Sequence, residues 1–341
     1  MSLRRAPATI KDVARACGLA PSTVSNALAG KALVRDETRE LVQAAAERLG
    51  YRASSLARGL RLQRTWTVGA LVADIANPFF AELVRGMEDA LWARDYSLVI
   101  CSTEYDPQKE TAFLRMLLDK RMDGLILAST ASDSDEVPRL RAEGVPYVLL
   151  NRRHRTQPSD YVGIDNAVGT SKAVAHLADL GHRRIAFICG PADSSAAAER
   201  FAGYRDEMRR RFGAIDEALV APGDYSTERG RDAADRFLAL SERPTAIVSA
   251  NDFMAIGAME RLQERGLEVP GDVSVTGFDD IFVAGWPWIG LTTLRPQSRA
   301  LGEQAAELLL SRIEAPGAEP ESRILPCSLA VRRTTAAPSS R

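Results

Sequence analysis

The chain has few of the residues that perform covalent or metal chemistry. It carries 4 Cys and 3 His in 341 residues. Cys17, Cys101, Cys189 and Cys327 are scattered and none forms a C-x-x-C pair, so neither a zinc site nor a disulfide framework is expected. Each suits a small apolar core position. His154, His176 and His182 offer no metal-ligand pair at helical spacing, and His182 in Leu180-Gly181-His182 reads as the end of a helix. No metal and no cofactor is expected. There is no G-x-G-x-x-G after a strand, no G-x-x-x-x-G-K-[ST] and no G-x-S-x-G, which leaves dinucleotide, P-loop and nucleophile-elbow chemistry without support. An apolar run of about 18 residues, the length a membrane span needs, is also missing. Arg4 and Arg5 are not followed by an apolar segment and cleavage site, so the expected location is the cytoplasm.

What is present is ordinary in amount and uneven in place. A hydrophobic content of 45% and a charged content of 26% fit a soluble globular chain long enough for two or three domains. Residues 1–64 carry 12 Lys/Arg against 5 Asp/Glu, a balance of +7, whereas the whole chain is −1 and residues 65–341 sum to −8. A basic piece confined to one end is the footprint of a phosphate-binding module.

That piece has helix-turn-helix grammar. Ile10, Val13, Ala14 and Cys17 recur at helical spacing, Gly18 breaks the run, and a second helix opens at Pro21, where a missing N–H costs nothing. In the second helix Val24, Ala27 and Leu28 form the apolar stripe. Ser22, Thr23, Ser25 and Asn26 are left outward, short and nearly uncharged, which suits entry into a major groove. A third helix follows, with Asp36 as expected N-cap and Leu41, Val42, Ala45, Ala46 and Leu49 as expected buried stripe up to Gly50. The pattern alone also fits a three-helix bundle with no ligand. Next comes Tyr51–Leu62, short and basic with Leu56 and Leu60 four apart. Such a two-turn helix is marginal alone, so the segment reads either as a helix ordered by DNA and a second copy or as a frayed linker.

Ile10-Lys11-Asp12-Val13-Ala14, Ser22-Thr23-Val24-Ser25, Thr38-Arg39, Leu49-Gly50-Tyr51 and Ser54-Ser55-Leu56-Ala57-Arg58-Gly59-Leu60 together resemble the headpiece of the lactose-repressor/purine-repressor family. The resemblance implies that Pro21, Ser22 and Asn26 meet base edges and that Leu60 wedges into the minor groove at the operator centre. Ala53 stands where that family's hinge usually has Pro, and Gly59 where Ala, Ser or Gln is common. Pro21 has no donor, so readout there is apolar. Asn26 is the best base reader, because its amide can pair bidentately with adenine, and Leu60 is a fitting wedge. The candidate DNA contacts are Thr9, Pro21, Ser22, Thr23, Ser25, Asn26, Arg35, Ser54, Leu60 and Arg61.

From Thr67 short continuous apolar segments alternate with amphipathic ones, the pattern of a parallel sheet covered on both faces. Strands are expected near 67–74, 97–101, 124–128 and 147–150. A second series starts with a strand at 161–164 and continues with strands at 184–189, 246–249 and 273–278. The fold class is therefore α/β: a helix-turn-helix headpiece plus two doubly wound lobes, which resembles the type I periplasmic-binding-protein fold. The expected domains are 1–52 headpiece, 53–64 hinge or linker, 65–333 core and 334–341 disordered tail. Lobe 1 is expected at about 65–163 and 294–322, and lobe 2 at about 164–291 and 323–333.

In open α/β sheets ligands bind beyond the carboxyl ends of the strands. The residues just after each strand supply amides, carboxylates, an Arg fork and aromatic faces, a set suited to a polyhydroxylated ring. The resemblance implies the same positions. The candidate effector contacts are Asn77, Phe79, Phe80, Asn151, Arg152, Arg200, Tyr225, Asn251 and Asp279. Phe79 equally suits the core, Asp165, Asp252 and Asp280 equally suit helix caps, and Arg153 suits solvent. A sugar fits best, while Arg152, Arg153 and Arg200 leave room for a sugar acid or phosphate, and a purine stays open. The expected function is a sequence-specific DNA-binding regulator, a repressor under small-molecule control. A solute-binding or enzymatic α/β protein is the alternative. The expected partners are a near-palindromic double-stranded operator, the effector and a second copy of the chain. A homodimer is expected because one helix-turn-helix buries too little to select a site, with a tetramer left open.

Overall fold

The computed structural model describes residues 8–28, 33–51 and 64–339. Ser54, Leu60 and Arg61, with Ala53 and Gly59, lie outside the described residues. The chain divides into two compact units, Met1–Thr65 and Trp66–Arg341.

The smaller unit holds α1 (Ile10–Cys17), α2 (Pro21–Leu28) and α3 (Asp36–Leu49). Gly18 and Gly50 end α1 and α3 in the left-handed region, at φ 65° and 63°, which glycine adopts without a Cβ penalty. Among the described residues the buried core consists of small side chains, Val13, Ala14, Val24, Ala27, Val34, Val42, Ala45 and Ala46, with Ile10, Leu19, Leu28 and Tyr51 packed against it. Two expectations fail in α3. Its N-cap is Arg35, and Asp36 is the first helical residue. Leu41 and Leu49 are exposed, at 51% and 38%, because the narrow Val/Ala seam admits only one edge of the helix.

The larger unit opens with β1 (Thr67–Val72), α4 (Pro78–Trp92), β2 (Ser97–Ser102), α5 (Pro107–Asp119), β3 (Gly124–Leu127), α6 (Glu136–Ala142), β4 (Tyr147–Leu150) and β5 (Tyr161–Ile164). It continues with α7 (Asn166–Asp179), β6 (Ile185–Ile188), α8 (Ser195–Phe212), β7 (Val220–Ala221), α9 (Thr227–Leu238), β8 (Ala246–Ser249), α10 (Asp252–Glu264) and β9 (Ser274–Phe278). It closes with β10 (Thr292–Arg295), α11 (Ser298–Glu314), β11 (Ser322–Leu325) and β12 (Ser328–Ala330). The strands form two six-stranded sheets, ordered β11-β5-β4-β3-β1-β2 and β12-β10-β9-β8-β6-β7. Every pairing is parallel except β10 with β12.

Strands β3, β4, β5, β6, β8 and β9 are buried along their whole length, which is why they read as unbroken apolar runs rather than alternating ones. Helix α11 returns to the first sheet and lies on α4 through two glycines. A Cβ on Gly86 would meet the carbonyl oxygen of Arg299, and one on Gly302 that of Leu83. Backbone-to-backbone approach of this kind fixes where the chain crosses back between lobes.

The lobe boundaries differ in part from expectation. Strand β5, which opens the second series of strands in the sequence, pairs with β4 and β11 in the first sheet, in keeping with the expected end of the first stretch of lobe 1 near 163. Strand β10 belongs to the second sheet, beside β9, and β11 extends the first lobe's return to Leu325. Hydrogen-bond register decides this, and register is invisible in a four-residue apolar run.

The tail is also corrected. Residues 334–339 pack against the second lobe instead of being disordered. Thr334 is 2% exposed. Its hydroxyl donates to the carbonyl of Val275, and it accepts from the N–H of Thr292. The Ala336 carbonyl lies 2.8 Å from Nε2 of His182, whose Nδ1 lies 2.9 Å from the Thr245 hydroxyl. His182 does follow a helix end, but its ring is a buried tether, and burial lowers its pKa.

Candidate functional site

The smaller unit presents the outward face of α2. Pro21 and Ser22 are exposed, and Thr23, Ser25 and Asn26 are half-buried on the rim of the Val24 and Ala27 stripe. Thr9 is exposed at the start of α1. Its backbone N–H and hydroxyl both donate to the Asp12 carboxylate, at 2.9 and 2.7 Å, holding that carboxyl below its usual range. Arg35 is exposed ahead of α3. The unit therefore shows a short polar helix face amid cations, in which Asn26 is the group able to read a base edge bidentately.

In the larger unit the carboxyl ends of strands from both sheets converge on one cavity. Asn77, Phe79, Phe80, Tyr105, Asn151 and Arg152 line it from the first lobe, and Arg200, Tyr225, Asn251 and Asp279 from the second. All nine residues singled out in the sequence thus meet around one space. Tyr105 is the tenth and was missed. It follows β2 by three residues, so the strand-end rule could have found it had it been applied to that loop.

Local sequence explains how these side chains are held. Asn77 caps α4 by accepting from the N–H of Phe79, with Pro78 at the first helical position. Asn251 caps α10 by accepting from Met254, and its amide donates to the carbonyl of Tyr225 at 3.0 Å. Asp165, which lines no part of the cavity, caps α7 through the N–H of Val168. Asp252 is no cap: fully buried, it accepts from the Thr293 hydroxyl and from the N–H of Ile281, and burial pushes its carboxyl well up. Asp280 pairs with Arg295 and Arg332. Phe79 is both core and cavity wall, 4% exposed and edge-on to Phe80 at 5.2 Å.

Four cavity residues have backbones that side chains rarely adopt: Tyr105, Asn151, Tyr225 and Asp279, at φ 60°, 64°, 75° and 114°. Each such residue costs on the order of 1–3 kcal/mol and persists only where its surroundings hold it. For two of them strand hydrogen bonds do so: the N–H of Asn151 donates to Val162, and that of Asp279 to Leu294, at 2.8 and 2.9 Å.

Arg200 is the electrostatic centre. It is 2% exposed and lies 3.6 Å above the Phe278 ring. Its Nε donates to Oδ1 of Asn166 at 2.9 Å, its Nη1 donates to the carbonyl of Ala250, and the same nitrogen is 3.4 Å from Oδ1 of Asp279. Burial pushes the Asp279 carboxyl up to about 7 against the pull of Arg200. Arg152 donates to the carbonyl of Ser129 at 3.0 Å and sits 5.5 Å from the Tyr105 ring. Arg153 stays half-exposed, paired across the lobes with Glu199 at 3.1 Å.

Two buried acceptors of the cavity residues, Oδ1 of Asn151 and Oδ1 of Asp279, accept no hydrogen bond. Asp279 Oδ1 has the Arg200 cation 3.4 Å away, whereas Asn151 Oδ1 has no such partner. Buried polar atoms are normally satisfied, so the Asn151 oxygen is matched to a donor from elsewhere. The room left among the side chains is about 20 Å³, which is of the order of one water. A sugar-sized ring needs far more, so its entry requires the lobes, or the Tyr105 and Tyr225 rings that face each other at 6.3 Å, to move. Among the described residues, no group of three His, Cys, Asp or Glu could hold a metal ion.

Comparison with known proteins matches both units of the chain. Residues 9–54 match the model for bacterial regulatory proteins of the lacI family, and residues 174–335 match a periplasmic binding protein-like domain. The chain is 39% identical over 311 residues to the ribose operon repressor of Escherichia coli K12, covering 91% of this chain and 94% of that protein. The solved lac repressor dimer bound to operator and an anti-inducer superposes with a TM-score of 0.87 at 29% identity, over 97% of this chain and 100% of that one. A lacI-family regulator from Enterococcus faecium with bound ribose gives a TM-score of 0.72 at 30% identity, over 80% of this chain and 100% of that one. The chain therefore belongs to the lacI family of bacterial regulatory proteins and is a DNA-binding transcriptional regulator, not an enzyme.

Proposed function

We propose that the chain is a cytoplasmic repressor that reads a near-palindromic operator as a homodimer and releases or tightens it when a neutral, hydroxyl-rich sugar binds between the lobes. Pro21, Ser22, Thr23, Ser25 and Asn26 face the bases. Thr9 and Arg35, together with Ser54 and Arg61 outside the described residues, hold the phosphates, and Leu60, also outside them, is the minor-groove wedge. Asn77, Phe79, Phe80, Asn151, Arg152, Arg200, Tyr225, Asn251 and Asp279 hold the effector.

The observation that carries the effector reading is the unsatisfied buried Oδ1 of Asn151, set among aromatic faces and beside the Arg200–Asp279 ion pair. Hydroxyl donors satisfy such atoms; phosphate and carboxylate do not. Two of the three cations that suggested an anion carry acid partners, Arg200 with Asp279 and Arg153 with Glu199, and the third, Arg152, donates to the Ser129 carbonyl. The relative solved with bound ribose supports the same class. Effector and operator must change each other's affinity by one factor, since linkage is reciprocal.

The test is selection of duplexes from a random pool, followed by mobility shifts at physiological salt with and without sugars. A defined near-palindrome should emerge, and one sugar should change its affinity. Arg200→Ala should abolish that response and leave operator binding intact. Unchanged sugar affinity in Arg200→Ala would remove Arg200 from the site, and no preferred duplex would end the regulator reading for this chain.

A further inference from the structure

A second chamber of about 320 Å³ adjoins the central cavity and shares only Tyr105 and Arg152 with it. The Arg152 guanidinium over the Tyr105 ring is the partition between the two spaces. The chamber lies at the carboxyl end of β3, a strand end that contributes nothing to the central cavity.

Its lining is rich in acceptors. Glu110, 7% exposed, faces it from α5, and burial pushes its carboxyl up. Ser129, just beyond β3, is 5% exposed, and its hydroxyl has no hydrogen-bond partner. Oε2 of Glu136 is also buried without a hydrogen bond, although Arg139 lies 3.5 Å away. Asp133 and Asp193 complete the rim, against Arg152 as the single cation of the lining. An acidic, preformed space with the unpartnered Ser129 hydroxyl in its wall rejects anions and apolar groups and takes a donor-bearing one, a class that includes sugar hydroxyls.

We infer that the effector is a two-ring saccharide, with one ring in the central cavity and the second in this chamber beneath Glu110, Ser129 and Glu136. The inference rests on the saccharide reading of the central cavity and deepens it from a sugar to a disaccharide. The two rings are joined past the Arg152–Tyr105 pair, so those two side chains contact both.

Calorimetric titration of the full chain with matched probes separates the two readings: D-glucose against cellobiose and maltose, D-galactose against lactose, and D-ribose alone. One disaccharide should bind at least about tenfold more tightly than its own monosaccharide. Thr111→Trp fills the chamber from half-buried Thr111 of its wall. It should erase that advantage while changing monosaccharide affinity by less than about twofold, with an unchanged thermal midpoint as the folding control. Ser129→Ala should weaken only the disaccharide, by about three- to tenfold. Monosaccharide binding that equals or exceeds every disaccharide, or an advantage that survives Thr111→Trp, overturns the two-ring inference and leaves the sugar reading standing. Binding of neither member of any pair, nor of ribose, overturns the sugar reading and the inference with it.

Discussion

Replacing Arg200 with Met keeps most of the side-chain volume and removes the charge, and the cost should depend on pH. Arg200 satisfies Oδ1 of Asn166 and the carbonyl of Ala250. Orphaning two buried acceptors costs about 1–3 kcal/mol each, and this part does not vary with pH. The other part is the lost counter-charge of Asp279. That carboxyl is held at about 7 in the native chain, above the ordinary 3.8. Because the folded value is the higher one, the contribution of Asp279 to stability is fully present at acid pH and is lost as pH rises from 3.8 through 7. Without Arg200 the folded value climbs further, so the decline continues past 7 in the variant but not in the parent. The stability difference should therefore be nearly flat below pH 6 and grow above pH 7 by about 1.4 kcal/mol per unit. Chemical denaturation of both proteins between pH 5 and 9, followed by a signal from the larger unit, measures it. A difference that stays constant across that range would show that Asp279 is not the partner whose charge Arg200 offsets.

Three other outcomes follow from separate parts of the chain. Asn26→Ala should cost about 1–3 kcal/mol on the selected operator and relax preference at one base pair per half-site, with random-duplex binding unchanged; an equal loss on both duplexes would make Asn26 a mere phosphate contact. Gly302→Ala should drive its new Cβ into the Leu83 carbonyl and lower stability by about 1–3 kcal/mol or more through forced separation of α4 and α11; a thermal midpoint within a degree of the parent would refute that contact. Deleting residues 334–341 removes the Thr334 and Ala336 hydrogen bonds to Thr292, Val275 and Ser274. It should leave the second lobe less stable by roughly 3 kcal/mol, and a midpoint indistinguishable from the full chain would mean that the tail's contacts contribute nothing.

The sequence by itself determined the two-part plan. Charge segregation, the Gly18 and Pro21 punctuation and the alternation of buried strands with amphipathic helices are local properties. Local properties survive without knowledge of the partner segments. Most of the nine effector candidates were legible for the same reason, since a parallel strand followed by polar residues marks a strand end wherever that strand sits in the sheet; Arg200 and Asp279 came from the family resemblance, and Arg200 lies inside α8, well past the end of β6. Tertiary structure alone decided the rest. The sheet to which β5, β10 and β11 belong depends on hydrogen-bond register between segments far apart in the chain. The ordered tail depends on a buried histidine more than 150 positions away. Leu41 and Leu49 face solvent because the partner helices offer only a narrow seam. The left-handed backbones of Asn151 and Asp279 are held by hydrogen bonds to neighbouring strands. Asn and Asp tolerate that region better than most residues, but which positions adopt it is decided by the assembled fold.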